Sequence, residues 1–389
     1  MRIGIDVSHW NDTRGFGRFT RELVRAFMSV YGRDHQVLLV CDARTANRGE
    51  FPEGVDLRVA RSSARPSSTA CRSPLELVAL WREAARCRAD VFFFPSASAF
   101  YPVPCPTPVV VTIHDAMTEE HPEWFFPDAR SRVFWRIKMW MVKHRSRIIV
   151  TPSQDACRRV AEAFGRPLDD VVCIGEAPAD CFGAVREARV ETAVRERRGI
   201  PILARLILYV GGLDHHKNLP MLLRALARIS VDPRTPWQLV LVGEHRSRAA
   251  QVAKRKLGQF AAELEITERI TWTGWVPDEE LAVLYRTSAL LVLPSHDEGF
   301  GLPVVEAMAC GLPTAVSSRG SLPEVAGDAG LSFDPEDPQD IADVVTRLLT
   351  DDDLRNELSR RGVARAGSLS WASTARRLMA TLEAAVTPP

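Results

Sequence analysis

Pro294-Ser295-His296-Asp297-Glu298-Gly299-Phe300-Gly301-Leu302-Pro303-Val304-Val305-Glu306-Ala307-Met308-Ala309-Cys310-Gly311 directly follows the apolar run Leu290-Leu291-Val292-Leu293. A short run apolar on every side is the pattern of a buried parallel strand. Gly299 and Gly301 open backbone conformations closed to other residues. Pro303 suits the start of a helix, where its missing N–H costs nothing, and Gly311 suits the end of one. The stretch therefore reads as strand, glycine loop, helix. Free N–H groups at such a helix tip attract anions, phosphate above all. Glu306 falls one turn into the helix, where a carboxylate can accept from the vicinal hydroxyls of a ribose. Glu298 lies in the loop and reaches a different part of the same ligand.

The same alternation runs along the whole chain of 389 residues. Strand patterns fall at 2–7, 36–41, 55–60, 91–94, 109–114 and 148–151, with helical periodicity at 18–30, 74–86 and 129–144 between them. After a charged stretch at 184–201 the scheme restarts, with strands at 206–210, 239–242, 270–273, 290–293 and 314–317. Helices fit 219–229, 248–264, 278–286, 303–309, 339–349, 352–366 and 371–385. Strands alternating with helices indicate βαβ units, hence an α/β protein with two doubly wound sheets. The expected domains are 1–183 and 184–370, the charged joint being solvated.

Composition narrows the function. With 50 basic and 49 acidic residues the net charge is +1, which gives no electrostatic case for nucleic acid. The N-terminus lacks the charged-then-apolar pattern of a signal peptide. No apolar run approaches the ~20 residues of a membrane span. The eight cysteines form no C-x-x-C pair and no zinc spacing. Reduced thiols in a cytoplasmic protein are the expectation.

The 294–311 stretch resembles the signature of glycosyltransferase family 4: a Glu, seven residues and a second Glu, in a context like EGFGLPxxEAMACG. The resemblance covers nearly the whole chain. It implies the GT-B fold: two facing Rossmann-like domains, an inter-domain cleft, and the helix at 371–386 crossing back onto the N-terminal, acceptor-binding domain. It implies a retaining transfer of sugar from a nucleoside-diphosphate sugar, UDP in preference to GDP, to a hydroxyl. The nucleotide sugar is a co-substrate, and no other cofactor is expected. Gly299, Phe300, Gly301 and Leu302 would line the phosphate, Glu306 would hold the ribose, and Glu298 would hold donor-sugar hydroxyls.

Other segments resemble the family too. Gly15, Gly17 and Arg18 look like its glycine-rich loop ahead of the first helix. His114, in Thr112-Ile113-His114-Asp115, is similar to its His-Asp step and would face the donor sugar, while Asp115 can instead cap the next turn. Tyr209-Val210-Gly211-Gly212-Leu213-Asp214-His215-His216-Lys217-Asn218 looks like its phosphate loop: Lys217 would neutralise the leaving diphosphate, Gly212 would approach it, and Asn218 is a good N-cap. The Arg common in that loop is missing, which calls on protonated His216 or on Arg18. Gly243 and the backbone of Val276 resemble strand-end loops around the base. One departure is Gly175-Glu176-Ala177-Pro178, where an Asn-Gly turn is usual; no role carries over to Glu176. No D-x-D motif follows a buried strand, so no obligatory metal is expected. Asp351-Asp352-Asp353 reads as a helix cap.

The acceptor is the least legible feature. A small soluble acceptor such as a natural-product or aminocyclitol intermediate is expected, with a cell-surface polysaccharide or glycolipid as the rival. Residues 130–149 mix basic residues with Phe134, Trp135 and Trp140. The favoured reading packs the aromatics inward and leaves the arginines in water, so membrane association is not favoured. Readings of other classes stay open: a GT-B sugar-nucleotide epimerase, a pyridoxal-phosphate phosphorylase, a non-catalytic sugar-nucleotide binder, and a NAD-dependent oxidoreductase, for which the full G-x-G-x-x-G is absent.

Overall fold

The computed structural model describes residues 1–61, 72–126, 128–185, 188–230, 236–243 and 247–387, and so leaves Cys71 outside. The chain forms two compact units, Met1–Glu176 with Ser370–Pro389, and Ala177–Leu369.

The first unit is built on seven strands: β1 Arg2–Asp6, β2 Gln36–Asp42, β3 Asp56–Ala60, β4 Val91–Phe94, β5 Val109–Thr112, β6 Ser146–Thr151 and β7 Val171–Cys173. All pair in parallel, in the order β3-β2-β1-β4-β5-β6-β7. Their central residues bury both faces, which is why Val91–Phe94 and Val109-Val110-Val111 read as unbroken apolar runs. Phe92, Phe94, Phe100 and Tyr101 fill the core on one side, and burying each ring contributes about 1.5–3 kcal/mol. The strand order reverses between β1 and β4, so the crevice at their carboxyl ends is the natural ligand position. Helix Gly15–Tyr31 packs on the C-terminal helix Trp371–Val386. Phe19 meets the buried Trp371 with ring centroids 5.9 Å apart, and Arg377 Nη1 donates to the Ile174 carbonyl at 3.3 Å.

The second unit carries β8 Arg205–Val210, β9 Trp237–Val242, β10 Ile270–Gly274, β11 Leu290–Leu293, β12 Thr314–Ser317 and β13 Gly330–Phe333. The sheet is again wholly parallel, in the order β10-β9-β8-β11-β12-β13, and reverses between β8 and β11.

Several sequence expectations change. The stretch expected to be a solvated joint holds a helix, Ala188–Arg197. Its Val194 is buried, Arg197 and Arg198 pair with Glu280 at 2.9 and 2.7 Å, and Glu191 lies 3.8 Å from Arg286. Charges that look solvated in sequence are here spent on a neighbouring helix. Helix Gln154–Phe164 and strands β7 and β13 went unread, the strands because three or four residues carry too little periodicity.

The helix expected to turn its aromatics inward does the reverse. Ala129–Arg145 seats Lys138, Met139 and Val142 against the unit. Phe134 and Trp140 are 44% and 61% exposed, and of its aromatics only Trp135 turns inward, donating through Nε1 to Glu119 Oε1 at 2.9 Å.

Candidate functional site

In the second unit the candidate residues gather where the strand order reverses. The chain leaves β8 through Gly211-Gly212, with the buried Tyr209 hydroxyl donating to the Gly212 carbonyl at 2.6 Å. A single 3-10 turn, His215–Lys217, then brings Lys217 back toward the loop after β11. Lys217 Nζ donates to both oxygens of Glu298, at 2.7 and 2.8 Å, with the two side chains 18% and 13% exposed. Ser295 Oγ donates to Glu298 Oε1 at 2.7 Å. Burial is the largest influence on the Glu298 carboxyl and pushes it up; Lys217's charge, with the hydrogen bonds from Lys217 and Ser295, outweighs it and holds the group below its ordinary value. The two residues singled out from distant motifs therefore form one charge pair.

The loop that presents them is held rigidly. His296 N–H donates to the His216 carbonyl at 2.8 Å, joining the loops after β8 and β11. Ser321 Oγ donates to the carbonyls of Glu298 and Phe300 at 2.9 and 3.0 Å. Gly301 has φ +99°, and a Cβ there would lie 2.6 Å from Leu322 Cδ2. Both facts demand glycine. Gly301 is the N-cap of helix Leu302–Ala309, whose Pro303 has no N–H and whose Val304 N–H donates to the Gly301 carbonyl at 2.8 Å, so Leu302 carries the first-turn N–H not spent within the helix start. Gly243 lies at the end of β9, its N–H donating to the Gly274 carbonyl at 3.1 Å, and Val276, two residues past β10, buries its side chain.

Glu306 is fully buried and accepts from the Tyr285 hydroxyl at 2.8 Å. Two details of this half depart from the sequence reading. Asn218 does not cap helix Leu219–Leu226 with its side chain; it adopts a left-handed backbone, φ +54°, and sends Nδ2 to the Pro335 carbonyl at 2.8 Å. His216 is not the protonated ring the sequence reading called on: burial, then the charge of Lys217, pushes it down to about 4.

In the first unit, Gly15 and Gly17 do not form a loop but the first turn of helix Gly15–Tyr31. Arg21 pulls the preceding segment onto that turn, donating to the Trp10 and Asp12 carbonyls at 2.6 and 2.9 Å. A Cβ on Gly17 would fall 2.0 Å from the Asp12 carbonyl oxygen. Arg18, partly buried, follows in the same turn. His114 stands past the carboxyl end of β5 between Phe16 and Phe19, with ring centroids 4.9 and 4.7 Å away. Its Nε2 donates to the Pro95 carbonyl at 3.0 Å, and its Nδ1 lies 3.5 Å from Glu176 Oε1. Asp115 caps the next turn by accepting from the Met117 N–H at 3.0 Å.

Two groups escaped the sequence reading. Glu176 is buried beside His114, although its segment matches no motif. The buried His9 shares a hydrogen bond with Ser98 Oγ at 2.7 Å, its other nitrogen lies 3.5 Å from Asp12 Oδ2, and Ser98 continues to Ser96 Oγ at 2.8 Å. Lone serines and histidines after strands β1 and β4 give no sequence signal until the sheet brings them together.

With this geometry described, similarity to known proteins can be weighed. Residues 191–365 match the family model "Glycosyl transferases group 1", and residues 13–176 match "Glycosyltransferase Family 4". The chain belongs to the family 4, group 1 glycosyltransferases. Among its relatives, the O-antigen chain mannosyltransferase B of Escherichia coli is 31% identical over 67% of this chain and 66% of its own. The serotype-specific mannosyltransferase WbdA of Escherichia coli is 27% identical over 96% of this chain and 47% of its own. A D-inositol 3-phosphate glycosyltransferase of Corynebacterium jeikeium is 35% identical over 52% and 48%. The matches thus span about half to two thirds of these relatives' lengths. In fold, a sucrose-phosphate synthase from Thermosynechococcus elongatus superposes with TM-score 0.77 at 20% identity, covering 98% of both chains. Anabaena HepE, solved with UDP and glucose, superposes with TM-score 0.76 at 18% identity over 98% of this chain and 99% of its own. The two parallel sheets are the α/β, GT-B class of this glycosyltransferase family.

Proposed function

We propose that this glycosyltransferase moves a hexose from a nucleoside-diphosphate sugar to an acceptor hydroxyl, with retention at the anomeric carbon. The single observation that carries the reading is the Lys217–Glu298 pair in the loops ahead of helix Leu302–Ala309, at the point where the second sheet reverses. A diphosphate leaving group needs positive charge where its own negative charge grows. The helix start offers the Leu302 N–H as a backbone donor, and Lys217 keeps one ammonium hydrogen beyond the two given to Glu298. Glu298, held ionised, aims Lys217 and offers acceptor oxygens to sugar hydroxyls. No step so described requires a metal.

In the first unit, His114 bonded to Pro95 presents a fixed ring edge, and the Asp12–His9–Ser98 chain offers hydroxyl-matching donors and acceptors. We assign acceptor and donor-sugar contacts to this group. For the acceptor we favour a growing surface polysaccharide or glycolipid over a small soluble intermediate. The support is the mannosyltransferase relatives, one of them named for the O-antigen chain, so a mannosyl donor is the first to test against UDP-hexoses.

The test is calorimetric titration of nucleoside diphosphates, followed by a transfer assay reading nucleotide release. The wild type binds UDP or GDP. Glu306→Ala weakens that binding at least tenfold, through loss of the Tyr285-anchored carboxylate. Unchanged binding in the variant, or a wild type that binds neither diphosphate, refutes the reading.

A further inference from the structure

We propose that Glu176 is a positioning residue for transfer, acting by fixing the ring of His114. Its effect on transfer rests on the proposed assignment of His114 to sugar contacts. The ring stands between Phe16 and Phe19, both from helix Gly15–Tyr31, which meet it edge-on. Aromatic edges restrain the plane of an imidazole but do not tell its two nitrogens apart. The polar neighbours do. The Pro95 carbonyl, 3.0 Å from Nε2, can only accept, so Nε2 carries a hydrogen. Nδ1 then faces Glu176 Oε1 at 3.5 Å. A ring nitrogen and a carboxyl oxygen attract each other only with a proton on one of the two atoms. Pro95 and Glu176 therefore hold the ring from opposite sides and give each nitrogen a distinct partner. The side chains of His114 and Glu176 are 11% and 5% exposed, so little water competes for the contact.

The backbone ahead of Glu176 is fixed residue by residue. Past β7, the Ile174 N–H donates to the Thr151 carbonyl at 3.0 Å, and the Ile174 carbonyl accepts from Arg377 of helix Trp371–Val386. Gly175 then turns the chain at φ +77°, in the left-handed region, and a Cβ there would lie 3.1 Å from Arg377 Nη1. The turn delivers the next residue, Glu176, to the histidine. Packing alone does not account for a carboxyl at this buried position. Taking it out of water costs free energy, and an apolar side chain of similar volume fills such a site without that cost. The Asn-Gly turn usual in the family at this place supplies no carboxyl, so the contact belongs to this chain's own Gly175-Glu176 step.

Two measurements on the whole protein test this. The first needs no sugar: nitrogen NMR of protein isotopically labelled at its nine histidines, in which the ring signals of His114 are the pair missing from His114→Ala. Glu176→Ala shifts that pair. So does Glu176→Gln, which conserves the volume and keeps the wild-type Tm, measured alongside. The second is a double-mutant cycle on nucleotide released by hydrolysis of GDP-mannose or UDP-glucose. Glu176→Ala lowers kcat by about 10–100-fold, the range for removing a partner that orients a functional histidine, with a smaller change in KM. On a His114→Ala background it lowers kcat no further. His114 signals that neither Glu176 variant moves overturn the proposal, and so does a loss of kcat that is equally large with and without His114. Failure of the transferase reading shows separately, as a wild type that binds neither UDP nor GDP; the nitrogen signals then decide the role of Glu176 alone.

Discussion

Replacing Lys217 with alanine strands a carboxylate. In the native protein Glu298 is 13% exposed, takes two hydrogen bonds from Lys217 and keeps one from Ser295. A fully buried pair broken on one side costs ~3–5 kcal/mol, and an exposed pair costs at most ~1 kcal/mol. This pair lies between, and Ser295 still serves one oxygen, so about 2 kcal/mol is expected. For a unit of this size that lowers Tm by about 4–8 °C.

The pH dependence gives the sharper check. With Lys217 present, the Glu298 carboxyl sits below its ordinary value, so its contribution is complete above the unfolded pKa of 4.5 and is lost as pH falls through the lower folded value. Without Lys217, burial, the largest influence, is opposed only by the Ser295 hydrogen bond and His216, and the folded pKa rises. The penalty in Lys217→Ala is then greatest at pH 7.5 and shrinks toward pH 5 as Glu298 takes up a proton. Adding Glu298→Gln removes the stranded charge, so the double variant recovers much of the loss. Thermal unfolding of the four proteins of this cycle from pH 5 to 8 measures all of it. A Tm loss that is the same at both pH values, together with additive single losses, refutes the coupling. On the chemistry, Lys217→Ala lowers turnover by roughly 10²–10³ with a smaller effect on donor binding; normal turnover contradicts its assignment to the leaving diphosphate.

Two further outcomes follow from single side chains. Glu119, pushed up to about 7 chiefly by burial despite its bond from Trp135, binds its proton more tightly in the folded state. It therefore costs stability as pH rises from 4.5 through 7. Glu119→Gln should raise Tm at pH 8 and leave it unchanged at pH 5; equal effects at both refute the shift. Gly17→Ala drives a Cβ to 2.0 Å from the Asp12 carbonyl oxygen. The first turn of helix Gly15–Tyr31 must move, with a loss of about 3 kcal/mol or more in chemical denaturation, while Gly15→Ala, with open space around its Cβ, stays within about 1 kcal/mol of wild type.

The sequence by itself determined the two α/β sheets, because their strands are apolar on both faces and are separated by helical periodicity. It also determined the glycine loop feeding a helix tip, because Gly301 and Pro303 permit little else there. Both are local signals: backbone freedom, chain period and the missing proline N–H act over a few residues. What only the tertiary structure decided is who faces whom. Lys217 and Glu298 are 81 positions apart and meet because the reversal of strand order sets β8 beside β11. The same logic buries Glu306 on Tyr285, brings Glu176 to His114 and links His9 to Ser98. The outward turn of Phe134 and Trp140 was hidden for a related reason. An amphipathic pattern shows that a helix has two faces, but which face the sheet accepts depends on the shape already packed beneath it.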